Sequence, residues 1–336
     1  MTSKTCKATC KALIIMVLLF VVSVSEAADS ITIDFGYALA EDTPTGRSAA
    51  RFAEVLAEKS GGAMKVNIYP SSQVGSEREM QEGCQLGTLD MCIGSTATLS
   101  NFDRIWQIYD IPFVIQDYNE AYKSDDSANA KKRLDSLAKL NIKGLAIIDP
   151  GFVEILNNKR ELKVPDDLKG MNIRCMEAAG YISTLKTLGA NPVQSATSEI
   201  YNMLQNGTVD GTSNPVGTIY TFSLYEIGKY LSIMHTWYTP VVMAMSMKTW
   251  NSLNQEQQGW VIEAAEAAKL HGREVRQQME KDWTERMKKA GMVVTTYSLE
   301  ERKVWSDFAE KNLYPQFVPS IIPQSEWDEF LAARGR

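Results

Sequence analysis

Apolar and polar residues alternate through Ile31-Thr32-Ile33-Asp34-Phe35, a period of two that predicts a strand with one buried face. Thr43-Pro44 then reads as an N-cap followed by proline at the first helical position. Phe52, Val55 and Leu56 keep helical spacing until Ser60-Gly61-Gly62 stops the helix. Met64, Val66 and Ile68 alternate again. Ser76 and Glu79 stand at capping-box spacing and open a helix that ends near Gly87. Leu89–Ile93 is more continuously apolar and predicts a third strand. The first third therefore reads β-α-β-α-β, the rhythm of a parallel or mixed sheet covered by helices.

The middle of the chain repeats that rhythm. Ala130–Leu140 is amphipathic, Gly144–Ile148 predicts a buried strand, and Ile155–Leu162 and Met171–Cys175 bracket the loop Val164-Pro165-Asp166-Asp167-Leu168. Ala179–Leu188 reads as helix. Ser198–Leu204 reads as a short helix closed by Asn206-Gly207; with Thr208 this pair also matches a glycosylation sequon, and the helix end explains it without a glycan. Val241–Met247 is another apolar strand. Gln255–Ala290 then runs without proline, carries a small-residue face of Val261, Ala264, Ala265 and Ala268, and predicts one long helix lying across more than one domain. Its heptad positions carry Ala and polar residues, which argues against a coiled-coil arm.

Composition sharpens this picture in three places. Lys4, Lys7 and Lys11 precede the apolar run Ala12–Val24, and Ser25-Glu26-Ala27 closes it with small residues, the pattern of a signal peptide cleaved near Ala27. That run is short for a membrane span, an uncleaved anchor helix being the alternative, and no later segment is apolar enough to cross a bilayer. The expectation is an exported protein that does not itself span the membrane. The formal charge is −6 and no basic block is present, which speaks against nucleic acid as a partner. The two histidines, His235 and His271, make a histidine metal site or a Ser-His-Asp triad improbable. Beyond the signal remain Cys84, Cys92 and Cys175, an odd number without a CxxC. Buried thiols are the simplest reading, with a Cys84–Cys92 bridge left open.

No Walker loop, GxGxxG, GxSxG or HExxH occurs, so neither a cofactor nor a metal is expected. Asp166-Asp167 fits a hydrated turn. One cation stands out: Arg174 within Met171-Asn172-Ile173-Arg174-Cys175-Met176. An arginine at a strand end grips a carboxylate through two parallel hydrogen bonds, or it serves a structural salt bridge.

Several segments in order carry a resemblance. They are Phe52-Ala53-Glu54-Val55 with Ser60-Gly61-Gly62; Tyr69-Pro70-Ser71-Ser72-Gln73-Val74-Gly75; Leu86-Gly87-Thr88-Leu89-Asp90; Asp110-Ile111-Pro112-Phe113; and Pro165 through Arg174. Leu188-Gly189-Ala190-Asn191-Pro192 follows, then Ser198-Glu199-Ile200-Tyr201 and Val209-Asp210-Gly211. Over about residues 30 to 320 the chain resembles the substrate-binding subunits of tripartite ATP-independent periplasmic (TRAP) transporters, the dicarboxylate-binding-protein-like family. The resemblance implies an α/β, two-lobed periplasmic binding protein fold with mixed sheets, crossing hinge strands and a long domain-spanning helix. Residues 28–151 plus 239–278 would form one lobe, and 152–238 plus 279–336 the other. It implies a periplasmic monomer that captures a small organic acid by domain closure and delivers it to the TRAP membrane subunits. A ligand-presenting sensor of the same fold is the second reading and an exported enzyme the third.

Residue by residue, the resemblance places the ligand carboxylate on Arg174, with Asn214 of Thr212-Ser213-Asn214-Pro215 in the same pocket. Ser95, and Tyr37 and Ala38 after the first strand, are expected to face it, with Met176, Phe152, Trp237 and Tyr238 as further candidates. The departures concern specificity. Many members carry a second arginine after Gly-Phe, where this chain has Gly151-Phe152-Val153; Thr212-Ser213 replaces a Gln-Glu, and Thr197 replaces an aromatic. A missing cation leaves a second ligand carboxylate unpaired, which is costly in a buried site. The expected ligand is therefore a monocarboxylate with an apolar or aromatic body.

Overall fold

The computed structural model describes residues 30–335; the expected signal peptide lies outside the described residues. In chain order the strands are β1 (Ile31–Tyr37), β2 (Met64–Tyr69), β3 (Met91–Ser95), β4 (Ile142–Ile148), β5 (Phe152–Asn157), β6 (Asn172–Cys175), β7 (Asn191–Gln194), β8 (Gly211–Pro215), β9 (Tyr230–Tyr238), β10 (Val241–Ser246) and β11 (Val293–Thr296). The helices that matter to the site are α1 (Pro44–Lys59), α2 (Glu77–Leu86), α3 (Tyr118–Asp125), α4 (Ala128–Ser136), α5 (Ala179–Thr187), α6 (Val216–Thr221), α7 (Gln255–Lys289), α8 (Leu299–Asn312) and α9 (Gln324–Ala333).

Two mixed sheets result. The first runs β2-β1-β3-β10-β4, with β1 parallel to β2 and β3, and β10 antiparallel to β3 and β4. The second runs β11-β9-β5-β8-β6-β7, with β5 antiparallel to β8 and β9, and β6 parallel to β7 and β8. The chain passes from the first sheet to the second between β4 and β5, at Pro150-Gly151, and returns between β9 and β10. The third link is α7, whose 35 residues rise about 50 Å at 1.5 Å per residue. It packs on α1 and β4 in one lobe and on α6 and β11 in the other.

The local signals behave as the chemistry requires. The Thr43 hydroxyl accepts from the Gly46 amide at 3.1 Å and caps α1. Ser76 and Glu79 close the capping box of α2 at 3.3 and 2.7 Å, and Gly87 ends that helix with φ 73°. Asn254 and Gln257 form the same box on α7. Of the segment Ile155–Leu162 before the loop, only the start is strand: β5 starts at Phe152 and ends at Asn157. The stretch before Pro240, which has no clear period, is the long strand β9. The β5–β9 ladder shifts register around Glu154, and the Glu154 carboxylate fills the gap by accepting from the Met234 amide at 2.7 Å and the His235 amide at 3.0 Å. His235 there has φ 51°. A bulge of this kind breaks the period of two and hides the strand from a pattern search.

The end of the chain departs from the expected lobe boundaries. The resemblance puts residues 279–336 in the second lobe, whereas α9 lies against α3 and α4 of the first. Arg133 of α4 holds it there. Its guanidinium lies 5.4 Å from the Phe330 ring and 5.8 Å from Tyr109, and Tyr109 meets Phe330 edge to face. Among the described residues no helix is long and apolar enough to cross a membrane, and Cys84, Cys92 and Cys175 are buried free thiols.

Candidate functional site

Between the sheets lies a partly open cavity, with about 500 Å3 free of protein atoms when the adjoining open solvent is included. It is built at the carboxyl ends of β1, β3 and β8 and just beyond β6, where α/β sheets offer exposed backbone and loops to a ligand. Tyr37, Ala38 and Leu39 come from the end of β1, Ile93 and Ser95 from β3, Met176 from beyond β6, and Asn214 and Pro215 from β8. The crossing segments contribute Pro150, Val153, Thr239 and Val241, so both lobes form the wall. Of the expected residues, Tyr37, Ala38, Ser95, Met176 and Asn214 thus meet at one cavity.

Arg174 is not among the lining residues but stands behind them, 1% exposed. Its Nε donates to Ser195 Oγ at 3.2 Å and its Nη2 to the Ser195 carbonyl at 2.6 Å. Nη1 is buried and has no hydrogen-bond partner among the described residues. Burial pulls the guanidinium down to about 10, with Glu77 among the nearby groups that oppose the shift; it remains charged at neutral pH. Its fixed partners are thus neutral oxygens, and one donor nitrogen, Nη1, is left over.

Phe152, Trp237 and Tyr238 do not line the cavity. Phe152 stacks on His235 with centroids 4.1 Å apart and meets Tyr118 edge to face at 4.8 Å. Trp237 stacks on Tyr181 at 4.7 Å, and the Tyr238 hydroxyl donates to Asp125 at 2.5 Å. The pleat explains the outcome for β5: Val153 faces the cavity, so its neighbour Phe152 points to the opposite face. These aromatic residues glue the crossing strands to α3 and α5.

Glu77 is a lining residue that sequence reasoning passed over, although it sits between the two capping-box residues. As the first residue of α2 it accepts a short hydrogen bond from the Ser95 amide. Burial raises its carboxyl above the usual range, opposed by Ser95 and by the Arg174 charge. Ser95 in turn caps the next helical turn by accepting from the Thr98 amide at 3.1 Å. Asn214 Oδ1 accepts from the Thr212 hydroxyl at 2.6 Å, which reserves its amide hydrogens for donation. The cavity can therefore hold an acid between a buried cation, a buried carboxyl and apolar walls. Among the described residues no group of His, Cys, Asp and Glu could hold a metal ion.

Residues 35–318 match the family model of bacterial extracellular solute-binding protein, family 7. This chain belongs to that family. A curated relative, the C4-dicarboxylate-binding protein DctB of Bacillus subtilis, is 30% identical over 292 residues, covering 87% of this chain and 83% of the relative. Among solved structures, the sugar acid binding protein DctPAm of Advenella mimigardefordensis, in complex with galactonate, superposes with a TM-score of 0.87 at 29% identity, covering 91% of this chain and 98% of that one. A TRAP periplasmic solute binding protein of Bordetella bronchispeptica, with density interpreted as pantoate, gives 0.85 at 30% identity over 90% and 99%. Family 7 membership makes the chain a TRAP-type solute-binding protein of the two-lobed fold, not an enzyme.

Proposed function

We propose that the protein captures a monocarboxylate with a compact apolar body and hands it to TRAP membrane subunits, acting in the periplasm after cleavage near Ala27. The observation that carries this reading is the Arg174 guanidinium, which is buried, charged and fixed on Ser195 with Nη1 left over. A ligand carboxylate would complete it, each charge-assisted bond contributing on the order of 1.5–3 kcal/mol. Val153 lines the cavity where a second cation would stand, and Glu77 adds a carboxyl that opposes a second ligand anion. Leu39, Ile93, Met176, Pro215 and Val241 favour an apolar body. The expectation of an aromatic body loses its support, because Phe152, Trp237 and Tyr238 lie outside the lining.

Closure of the two lobes around the acid is the proposed capture step. The moving units are the expected lobes, with α9 travelling with the first. Only a ligand that contacts both lobes favours the closed state, since a population shift requires differential affinity. Residues from both sides of the cleft meet this condition. Thermal-shift measurements with pantoate, branched-chain 2-keto acids, phenylacetate, galactonate, succinate and sialic acid test the reading. Compact monocarboxylates are expected to raise Tm most, and selective stabilisation by succinate would overturn it.

A further inference from the structure

The two lobes also meet beside the cavity, at a place where neither side is satisfied. The 3-10 helix Arg104–Asp110 packs into the first-lobe core through Trp106, Ile108 and Tyr109 and ends on Asp110, which is 0% exposed. α5 packs into the second-lobe core through Tyr181 and Leu185. A Cβ on Gly180, in the first turn of α5, would stand 2.6 Å from Asp110 Oδ2 and 2.9 Å from its Cγ, with Asp110 Cβ nearer still. No side chain fits there, which accounts for a glycine in this helix at a cost in helix propensity. Just upstream, the Asn101 side-chain amide donates to the Glu177 carbonyl at 2.6 Å, a hydrogen bond from the first lobe to the second.

Asp110 reaches this point unanswered. Neither carboxylate oxygen has a hydrogen-bond partner among the described residues. The Ser100 hydroxyl beside it is spent on the Ala97 carbonyl at 2.6 Å. Burial pushes the carboxyl well above its ordinary range. Across the interface, the first amides of a helix have no partner within it. The residue before α5 is Ala178, whose side chain cannot cap, and no acidic residue stands in the first turn. An unpartnered carboxylate thus lies against an uncapped helix N-terminus, a pairing that an N-cap aspartate ordinarily makes within one segment. Here the halves belong to opposite lobes, so movement of one lobe against the other sets their separation.

We propose that Asp110 is a positioning residue for capture: as the lobes close, its carboxylate caps α5 from the opposite lobe and latches the closed arrangement. The proposal rests on the reading of lobe closure as the capture step. Short of closure the carboxylate bears the cost of burial without a partner, and closure removes that cost, so the latch favours one state over the other. α5 begins just beyond Arg174 and Met176, so the latch also seats the strand end that carries the proposed anchor and one wall of the cavity.

Titration calorimetry tests it, with pantoate or whichever acid of the thermal-shift panel raises Tm most. Asp110→Ala should weaken binding by about fivefold. Its Tm without added acid should be unchanged, because no hydrogen bond of Asp110 is lost there. Asp110→Asn, whose amide oxygen caps about as well, should bind within about twofold of wild type. Gly180→Ala props α5 away from Asp110 and should weaken binding by about tenfold. Combining Asp110→Ala with Gly180→Ala should cost no more than Gly180→Ala alone, because one latch is lost only once. Spin labels on Leu86→Cys of the first lobe and Val164→Cys of the second, both exposed positions, report lobe separation by pulsed electron resonance. The acid should shorten that separation more in wild type than in Asp110→Ala. Losses that add in the double variant, tighter binding by Asp110→Ala, or a fall in its Tm with unchanged affinity overturns the latch and leaves Arg174 as the anchor. Binding to wild type without any shortening overturns closure and the latch together. If no acid of the panel binds, the capture reading falls and the latch with it.

Discussion

Two buried arginines occupy opposite electrostatic situations. Arg276 of α7 is saturated: its Nε lies 2.9 Å from the Asp149 carboxylate, its Nη1 lies 2.8 Å from Glu280, and its guanidinium covers the Tyr118 ring 3.1 Å from the centroid. The Tyr122 hydroxyl donates to the same Asp149 at 2.7 Å, and the Tyr118 hydroxyl to Glu280 at 2.7 Å. Tyr118 and the carboxylates raise the Arg276 pKa in spite of burial. Among the described residues the Arg174 guanidinium has Ser195 alone as its hydrogen-bonding partner, and burial lowers its pKa. Both are nearly inaccessible, so burial does not distinguish them. What does is whether the charge is already answered. An answered charge ties α7 to the β4–β5 crossing; on the function proposed above, the unanswered one is kept for a ligand.

That contrast can be broken at either arginine. Arg276→Met leaves Asp149 buried without its cation and is expected to cost about 3–5 kcal/mol of stability in denaturant unfolding. Arg174→Met removes a charge that has no close hydrogen-bonded counter-ion, so the stability of the free protein should change by less than about 1 kcal/mol. Equal destabilisation by the two would erase the distinction. A smaller effect is expected from Val153→Arg, which places a second cation at the wall. Its succinate affinity should rise by about tenfold relative to that for a monocarboxylate, as read by calorimetry. An unchanged ratio would show that the missing cation does not set specificity.

The smallest effect concerns pH. Burial lowers the His235 pKa to about 4, against an ordinary value of 6.5. Between these values the unfolded chain binds a proton that the folded chain does not. His235 therefore favours the fold above pH 6.5, and this contribution is lost as pH falls toward 4. Tm should decline across that window, and His235→Asn, which tolerates φ 51°, should flatten the decline. Arg174 keeps its charge throughout, so the crossing region titrates where the anchor does not. A Tm profile identical in wild type and variant would remove His235 from the account.

The alternation of β1 and β2, the cap of α1 and the capping boxes of α2 and α7 were legible in the sequence because each is a local pattern with a local cause. The strand β9 was not, since Glu154 completes its ladder from β5 and no window of sequence contains both. For the same reason Phe152, Trp237 and Tyr238 looked like pocket walls. An aromatic residue at a crossing segment serves either face, and only the pleat and the partner strand decide which. Ordered motifs drew notice to Arg174 and Asn214, of which Asn214 lines the cavity and Arg174 does not. Glu77 did not stand out, because it is an ordinary residue in the first turn of a helix until the fold brings it to the cavity.

The most direct measurement is the dissociation constant of one compact monocarboxylate, such as pantoate, for wild type and Arg174→Lys by titration calorimetry. An ammonium keeps the charge but not the planar fork on Ser195. The affinity should fall by about tenfold to a hundredfold with the unfolding free energy preserved. An unchanged dissociation constant in Arg174→Lys would contradict the claim that this guanidinium anchors the acid.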